Sequence, residues 1–368
     1  MRIGVNALYL IPGGVGGTEI YLRHLLAALA EIGSSDEFFV FVNRETVEAE
    51  PPLVPAAANF HTVVCPIRAT RRPLRLAWEQ LGLPWQAASR RLEVLFSPGF
   101  TSPLFTAGRK VTVIHDLQHQ RQPQNFGKVE LAAWRALVWT SARFSPEVVT
   151  VSESSRRDII AAYGLDPERV HVVRHGVEPE LFEVRPDNSE PPYLLSVSTL
   201  HAHKNWNRWL EAYARLAAEG FPHRLVIAGL MGNYAEELDR VIERRGLRDR
   251  VRLTGWVPRP RLRQLYASAA ALVFPSTFEG FGMPVLEAMA AAVPVACSDI
   301  APLRETAGDA ALYFDPHSVD SIVDAVRRLL LDVDLRARLA GAGRRRAHEF
   351  SWAESARQTL AILNRDPS

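Results

Sequence analysis

Cysteine is nearly missing from this chain: Cys65 and Cys297 are the only two, far apart and each in apolar surroundings. That excludes a disulfide framework and a thiolate zinc site, and fits buried free thiols in a reducing compartment. No apolar run approaches about 18 residues, so no membrane-spanning helix is expected. A surplus of either charge is lacking as well, since 43 Lys and Arg stand against 41 Asp and Glu for a net +2. A domain-wide basic excess is thus absent, and nucleic acid is not an expected partner. The opening MRIGVNALYLIPGG has no small-residue cleavage pattern after it and reads as a first strand rather than a secretory signal. A cytoplasmic location follows as the default. His119 near His115, and the His201/His203 pair, lack carboxylate or thiol partners at ligand spacing, so no metal is expected.

What the chain does have is alternation. Over 368 residues, 47% of them hydrophobic, short apolar runs alternate with amphipathic ones. This is the pattern of doubly wound α/β domains with parallel sheets. Strands are expected at 3–8, 38–42, 61–66, 94–96, 110–114, 148–151 and 170–173, with helices at 19–30, 74–89 (broken near Pro84), 128–142 and 154–163. Ser152 is a good N-cap for the last of these. The segment 178–192, EPELFEVRPDNSEPP, is acidic, rich in proline and aperiodic, and reads as a linker. Beyond it strands are expected at 193–197, 223–227, 251–253, 271–274, 293–297 and 310–314. Helices are expected at 206–218, 234–245, 259–268, 284–292, 318–331, 334–349 and 352–363. The expected organisation is an N-terminal domain over 1–177, a linker over 178–192, a C-terminal domain over 193–349 and a last helical segment over 350–368. Ligands of such sheets sit beyond the carboxyl ends of the strands, and two such domains facing each other would hold one in the cleft between them.

The richest stretch is 279–292, EGFGMPVLEAMAAA, after the buried-strand run ALVFPS. Pro284 suits a first helical turn. Gly280 and Gly282 allow positive φ or close backbone approach. A strand, a glycine turn and a helix start make an anion site, because free amides and the helix dipole point outward. Glu279 and Glu287 bracket it, and carboxylates accept hydrogen bonds from hydroxyls, which together suit a sugar nucleotide. A Glu in a first turn is also stabilised by the dipole alone. In SVSTLHAHKN, Lys204 sits just before a helix as a point charge for phosphate, flanked by His201 and His203. The run LTGWVP carries Gly255 and Trp256 as a slot for a flat base. In the first half, PGGVGGTE lies between strand and helix but lacks the G-x-G-x-x-G spacing. Its amides suit a phosphate or sugar, or simply a flexible turn. His115–Asp116 follows the strand KVTVI; the histidine is placed to face the cleft, and Asp116 can cap the next segment.

With these residues assembled, the chain resembles a retaining glycosyltransferase of the GT-B fold, family 4 or group 1, over nearly its whole length. The resemblance rests most on Glu279 and Glu287 within PSTFEGFGMPVLEAMA, preceded by GWVP and followed by PVACSD. GGVGG, HDL at 115–117, TVSESSRRDI at 150–159, HGVE at 175–178 and the terminal FSWAESA support it. The family implies two Rossmann-like doubly wound domains facing a cleft, with the last helix returning to the N-terminal domain. It implies that Lys204 binds the donor diphosphate, Glu287 the ribose hydroxyls and Glu279 hydroxyls of the transferred sugar. It places backbone amides of Phe281, Gly282 and Met283 on sugar and phosphate, Trp256 and Val257 by the base, Gly16 and Gly17 closing on the donor, and His115 against the sugar. The family usually has Arg where this chain has His203, and the HxHKN pattern is similar to mannosyltransferase members. Ala292 stands where the family often has Gly.

The implied reaction is transfer of a hexose, mannose favoured, from a nucleoside diphosphate sugar such as GDP-mannose to a glycan or lipid-linked hydroxyl, in cell-surface polysaccharide or glycolipid synthesis. No cofactor beyond that donor is implied. A sugar-nucleotide 2-epimerase on the same fold and a nucleotide-sugar-binding subunit without activity are the alternatives. His203 favours the latter. The arginine run 68–75 is a candidate contact for anionic lipid at the inner face of the membrane, or else a solvated basic loop.

Overall fold

Val, Ile, Phe and Leu dominate the short runs expected as strands, and such runs need both faces covered. In the computed structural model, which describes residues 1–33, 35–187 and 191–365 (without the side chain of residue 125), they form two parallel sheets. Residues 188–190 of the expected linker and 366–368 of the terminal segment lie outside the described residues. The chain divides into two units, one comprising residues 1–176 together with the segment from Ser351 onward, the other Val177–Phe350.

The first unit's strands are β1 (Arg2–Asn6), β2 (Glu37–Val42), β3 (Phe60–Val64), β4 (Val94–Ser97), β5 (Arg109–Val113), β6 (Glu147–Thr150) and β7 (Val170–Val172), in the spatial order β3-β2-β1-β4-β5-β6-β7. One face is covered by the Gly17–Glu31 helix through Leu22, Leu25, Leu26 and Leu29, and by the C-terminal Trp352–Leu363 helix through Trp352, Ala356 and Ile362. The start of the C-terminal helix closely approaches the loop after β7: a Cβ on Gly176 would meet Trp352 N at 2.1 Å. Arg109 closes the far end, donating to the last carbonyls of the helix at Ile362 and Leu363 (3.4 and 2.5 Å). Leu83 and Ala87 of the Arg72–Ser89 helix cover the opposite face beside Phe39, Phe41 and Leu95. This helix runs through Pro84 rather than breaking there. Proline removes one hydrogen bond, and the packing of Leu83 and Ala87 holds the remaining turns. Ser152 accepts from Ser155 N at 3.1 Å, the N-cap expected of it.

The second unit's sheet runs β10-β9-β8-β11-β12-β13, with β8 (Tyr193–Val197), β9 (Arg224–Ala228), β10 (Val251–Gly255), β11 (Ala269–Phe274), β12 (Val295–Ser298) and β13 (Leu312–Phe314). Trp206, Trp209, Leu210 and Tyr213 of the Trp206–Ala218 helix and Ile322, Val326 and Leu329 of the Val319–Leu331 helix form its core with Leu225 and Ile227. Each large apolar side chain buried this way contributes about 2–3 kcal/mol. In this unit, as with the short helices Arg44–Val47 and Gln118–Arg121 of the first, the Ala301–Ala307 helix is not among those expected from the sequence. It is short and begins with Ala-Pro-Leu directly after β12, too brief for a periodic pattern. Leu181 and Glu178, at the start of the expected linker, are buried on this unit. Among the described residues no helix is long and apolar enough to cross a membrane. Both cysteines are free and buried.

In each sheet the strand order reverses beside the first strand: between β1 and β4, and between β8 and β11. The loops leaving these strands at their carboxyl ends diverge there, which is where open α/β sheets take ligands.

Candidate functional site

The loops that leave β8 and β11 carry most of the second unit's chemistry. After β8 the chain makes a tight turn, Ala202–Lys204, and Asn205 takes a left-handed conformation (φ 61°, ψ 34°) before the Trp206–Ala218 helix. Asn is the residue type, after glycine, that tolerates this. Its side chain is held at both ends, donating to the Pro316 carbonyl at 2.7 Å and accepting from Arg208 at 3.2 Å. The two loops are stitched together, because Thr277 donates through both its amide (2.8 Å) and its hydroxyl (3.0 Å) to the His203 carbonyl. The result puts Lys204 Nζ 2.6 Å from Glu279 Oε1, each side chain 13% exposed. Lys204 also lies 5.6 Å from the centroid of the Phe274 ring.

Glu279 leads into the glycine turn. Gly282 sits at φ 101°, ψ 48°, immediately before the Met283–Ala290 helix, and a Cβ there would meet Leu303 Cδ2 at 2.4 Å. Only glycine fits both conditions. Gly280, by contrast, is not at positive φ. The Phe281 carbonyl accepts from the buried Thr306 hydroxyl at 2.7 Å, so the turn's acceptor side faces the protein. Pro284 carries no N–H and Val285 N donates to the Gly282 carbonyl at 3.0 Å, which leaves the amides of Gly282 and Met283 as those placed for an anion at this helix start. At the other end of this helix Ala292 sits at φ 56°, a left-handed conformation that favours glycine.

Glu287 lies one turn further, 7% exposed, and both of its oxygens are engaged. Arg259 donates to Oε1 at 2.8 Å and the Tyr266 hydroxyl to Oε2 at 2.9 Å. Arg259 in turn approaches Glu178 Oε1 at 2.7 Å, as an ion pair rather than an aligned hydrogen bond, and Arg263 reaches Glu178 Oε2 at 3.5 Å. Burial works against the Arg259 charge, but the carboxylates of Glu287 and Glu178 outweigh it and hold the guanidinium above its ordinary range. Burial and then Glu287 push the Tyr266 phenol well above its usual value, so it stays a donor. Arg259 and Tyr266 are not singled out by the sequence, and Glu178 enters there only as the end of the HGVE motif and the first residue of the linker, without a role. The signal available was Arg259 itself: a cation in the first turn of a helix opposes the dipole and needs another reason to be there.

His203 is 7% exposed, and burial first, then Lys204 and His201, drive its pKa to about 2. It is therefore neutral and stacks 5.7 Å from His201, whose Nδ1 lies 2.8 Å from Asn233 Oδ1. Trp256 is 58% exposed after Gly255 (φ 68°), beside the half-buried Val257.

The first unit holds the remaining candidates. His115 follows β5 and is 6% exposed, with Nε2 3.0 Å from the Pro98 carbonyl. Tyr21 meets it edge-on at 4.9 Å, Phe100 lies at 5.2 Å, and His175 stacks at 5.7 Å. Burial lowers His115 to about 4 despite the Pro98 bond, and lowers His175 well below its ordinary value, with His115 adding to the effect. Both rings are neutral near pH 7. Asp116 turns away into a local cap, accepting from Gln118 N at 2.9 Å. Gly16, at φ 62° and ψ −127°, starts the Gly17–Glu31 helix, and Gly13 N donates to Glu19 at 2.7 Å. The arginine run is mostly committed: Arg68 pairs with Glu48 at 3.2 Å, Arg72 with Glu130, and Arg75 with Glu79 at 3.3 Å, the last pair buried in the Arg72–Ser89 helix. A contact of Arg75 with lipid, open on the sequence, is therefore ruled out by its burial. Among the described residues no three His, Cys, Asp or Glu side chains gather as a metal-binding group.

Two Rossmann-like parallel-sheet units, each with a glycine turn and helix start at the reversal of strand order, define the GT-B class of glycosyltransferase fold. The sequence comparisons agree: residues 15–181 match Glycosyltransferase Family 4 and residues 177–346 match Glycosyl transferases group 1. The chain belongs with the GT-B glycosyltransferases of this group. It is 28% identical to O-antigen chain mannosyltransferase B of Escherichia coli, over 94% of each chain. It is 29% identical to an MMP alpha-(1->4)-mannosyltransferase of Mycolicibacterium hassiacum, over 95% of each. Among solved structures it is similar to Anabaena Alr3699/HepE in complex with UDP and glucose, at TM-score 0.76 and 20% identity, covering 99% of both chains.

Proposed function

We propose that the protein transfers a hexose, with mannose favoured, from a nucleoside diphosphate sugar to a hydroxyl of a glycan or lipid-linked acceptor, with retention at the anomeric carbon. The observation that carries the reading is the Lys204–Glu279 pair beside the Gly282 helix start, with Glu287 one turn on. A diphosphate sugar needs positive charge at its phosphates and acceptors for its hydroxyls, and this group offers both. Lys204 and the amides of Gly282 and Met283 would take the diphosphate, Glu279 the hexose hydroxyls, Glu287 the ribose, and Trp256 and Val257 the base. Mannosyl transfer is favoured by the two mannosyltransferase relatives, and GDP-mannose is accordingly the first donor to try.

In the reaction the acceptor oxygen bonds to the anomeric carbon while the bond from that carbon to the phosphate oxygen breaks. The electron pair leaves with the nucleoside diphosphate. The acceptor proton passes to the departing phosphate oxygen on the same face, so configuration is retained without a covalent intermediate. The barrier lies in the charge building on the leaving group, where preorganised donors are worth about 3–4 kcal/mol each. No metal cofactor is proposed, since Lys204 and the helix start supply the neutralising charge. His203, being neutral, adds a hydrogen-bonding ring but no charge.

The test is a thermal-shift screen with GDP, UDP and ADP sugars, followed by a transfer assay with the donor that binds. The expected result is stabilisation by one nucleotide class and its loss in Glu279→Ala. Full activity of Glu279→Ala would overturn the assigned site.

A further inference from the structure

One short helix of the second unit, Arg259–Ala267, presents three polar side chains along a single face. Arg259, Arg263 and Tyr266 follow one another at intervals of four and three residues, the spacing of one helical stripe. Each meets a buried carboxylate. Glu287 receives Arg259 Nη2 at 2.8 Å on Oε1 and the Tyr266 hydroxyl at 2.9 Å on Oε2. Glu178 lies 2.7 Å from Arg259 Nε through Oε1 and 3.5 Å from Arg263 Nη1 through Oε2. Two guanidiniums thus balance two carboxylates, and Arg259 is shared between them. The backbone fixes Glu178 in turn. Its carbonyl accepts from Leu181 N at 3.1 Å, and Leu181 is fully buried.

The use of Glu178 follows from the lone pairs of Glu287. A carboxylate offers about four acceptor sites. Arg259 and Tyr266 each take one, and the sites left match the 2′- and 3′-hydroxyls of a ribose. That balance holds only while Arg259 touches Glu287 through one nitrogen. A guanidinium with a single carboxylate in reach turns its fork onto both oxygens. Here the Nε edge faces Glu178, and Nη2 alone serves Glu287. Without Glu178 the fork would close on Glu287, compete with Tyr266 and occupy an acceptor site that a ribose hydroxyl needs. Arg263, one turn further along the helix, holds the second oxygen of Glu178 so that its first stays on Arg259.

We propose that Glu178 is a positioning residue for the nucleotide: by keeping Arg259 to a one-nitrogen contact with Glu287, it makes the site select a ribonucleotide with a free 2′-hydroxyl. The inference rests on the reading of Glu287 as the ribose carboxylate, and adds the residue that keeps that carboxylate open.

The test is calorimetric titration of the full chain with GDP, UDP and ADP, and with the 2′-deoxy form of each. The wild type is expected to bind one of the three ribonucleotides roughly tenfold or more tightly than its 2′-deoxy form, because a buried acceptor built for a hydroxyl goes unpaired without it. Glu178→Ala should weaken the ribonucleotide about tenfold and the 2′-deoxy form less than about twofold, so that the preference collapses. Glu178→Gln, close in shape and with a carbonyl oxygen for Arg259, should retain part of the preference. A residue that merely props the helix would weaken both nucleotides alike. That result, or an unchanged preference in either variant, would overturn the proposal and leave the nucleotide reading in place. A wild type that binds none of these nucleotides, or binds ribose and 2′-deoxy forms equally, would overturn the reading of Glu287 and this inference with it. Melting temperatures check that both variants fold. Should Glu178→Ala not fold, the Glu178→Gln preference decides, and it should be about threefold below the wild type.

Discussion

At the residue scale the Lys204–Glu279 pair separates stability from binding. Lys204→Ala leaves a nearly buried carboxylate without its cation, so it should cost about 1–3 kcal/mol in denaturant unfolding. Removing both side chains should restore most of that stability, because no charge is then stranded. Donor binding should nevertheless remain at least tenfold weaker in the double variant, measured by calorimetry. Recovery of binding along with stability would mean that neither side chain touches the donor. Lys204→Arg should not rescue, since a planar fork cannot replace a compact ammonium at the same distance. Glu287 raises a related question. Its oxygens already serve Arg259 and Tyr266, which orient it and leave it the lone pairs not used by them. Tyr266→Phe should therefore weaken nucleotide binding severalfold with little change in kcat, a KM effect of misplacing the carboxylate. A change confined to kcat would argue against that positioning role.

At the element scale the decisive feature is the turn between β11 and the Met283–Ala290 helix. Gly282→Ala meets two penalties at once, the positive φ and the 2.4 Å approach of Leu303. It should cost about 2–4 kcal/mol and shift the helix start, so donor affinity should fall with it. Gly282→Ala combined with Leu303→Ala would relieve the clash but not the backbone strain, and partial recovery of melting temperature is the expected outcome. The strands and most helices were legible because their signals are local: alternation, apolar runs and caps such as Ser152. Pro84 misled, since a proline signals a break locally while the packing of Leu83 and Ala87 decides whether the helix continues. The Ala301–Ala307 helix was illegible because seven residues hold too little periodicity. Arg75 read as part of a basic loop. Only the fold shows it turned inward against Glu79.

At the scale of the whole molecule, the histidines set the response to acid. His115 and His119 titrate near 4 and His203 near 2, all lowered first by burial, and His175 is also well below its ordinary value. Unfolded histidines take up protons near pH 6.5. The unfolded chain therefore binds more protons than the folded one below that pH, and stability falls as pH falls. The loss begins near 6.5 and continues down to about 4 for His115 and His119, further for His203. Each group contributes up to about 1.4 kcal/mol per pH unit. Melting temperature should be highest above pH 7 and clearly lower at pH 5, and a flat profile over that range would contradict the buried neutral rings. Transfer activity should survive EDTA, because the proposed neutralisation of the leaving group uses Lys204 and a helix start. Abolition by EDTA with restoration by a divalent cation would overturn that part of the mechanism.

The sequence by itself determined the α/β alternation, the glycine turn before a helix at 279–292, and the candidacy of Lys204, Glu279 and Glu287, because each of these is written in local periodicity and in the chemistry of adjacent residues. Tertiary structure alone decided which side chains meet. It set Lys204 against Glu279, 75 positions apart in the chain. It placed Arg259 between Glu178 and Glu287, kept His203 neutral, and turned Arg75 of the Arg72–Ser89 helix inward. These are matters of distance, burial and facing direction, which arise when strands far apart in sequence lie side by side in one sheet.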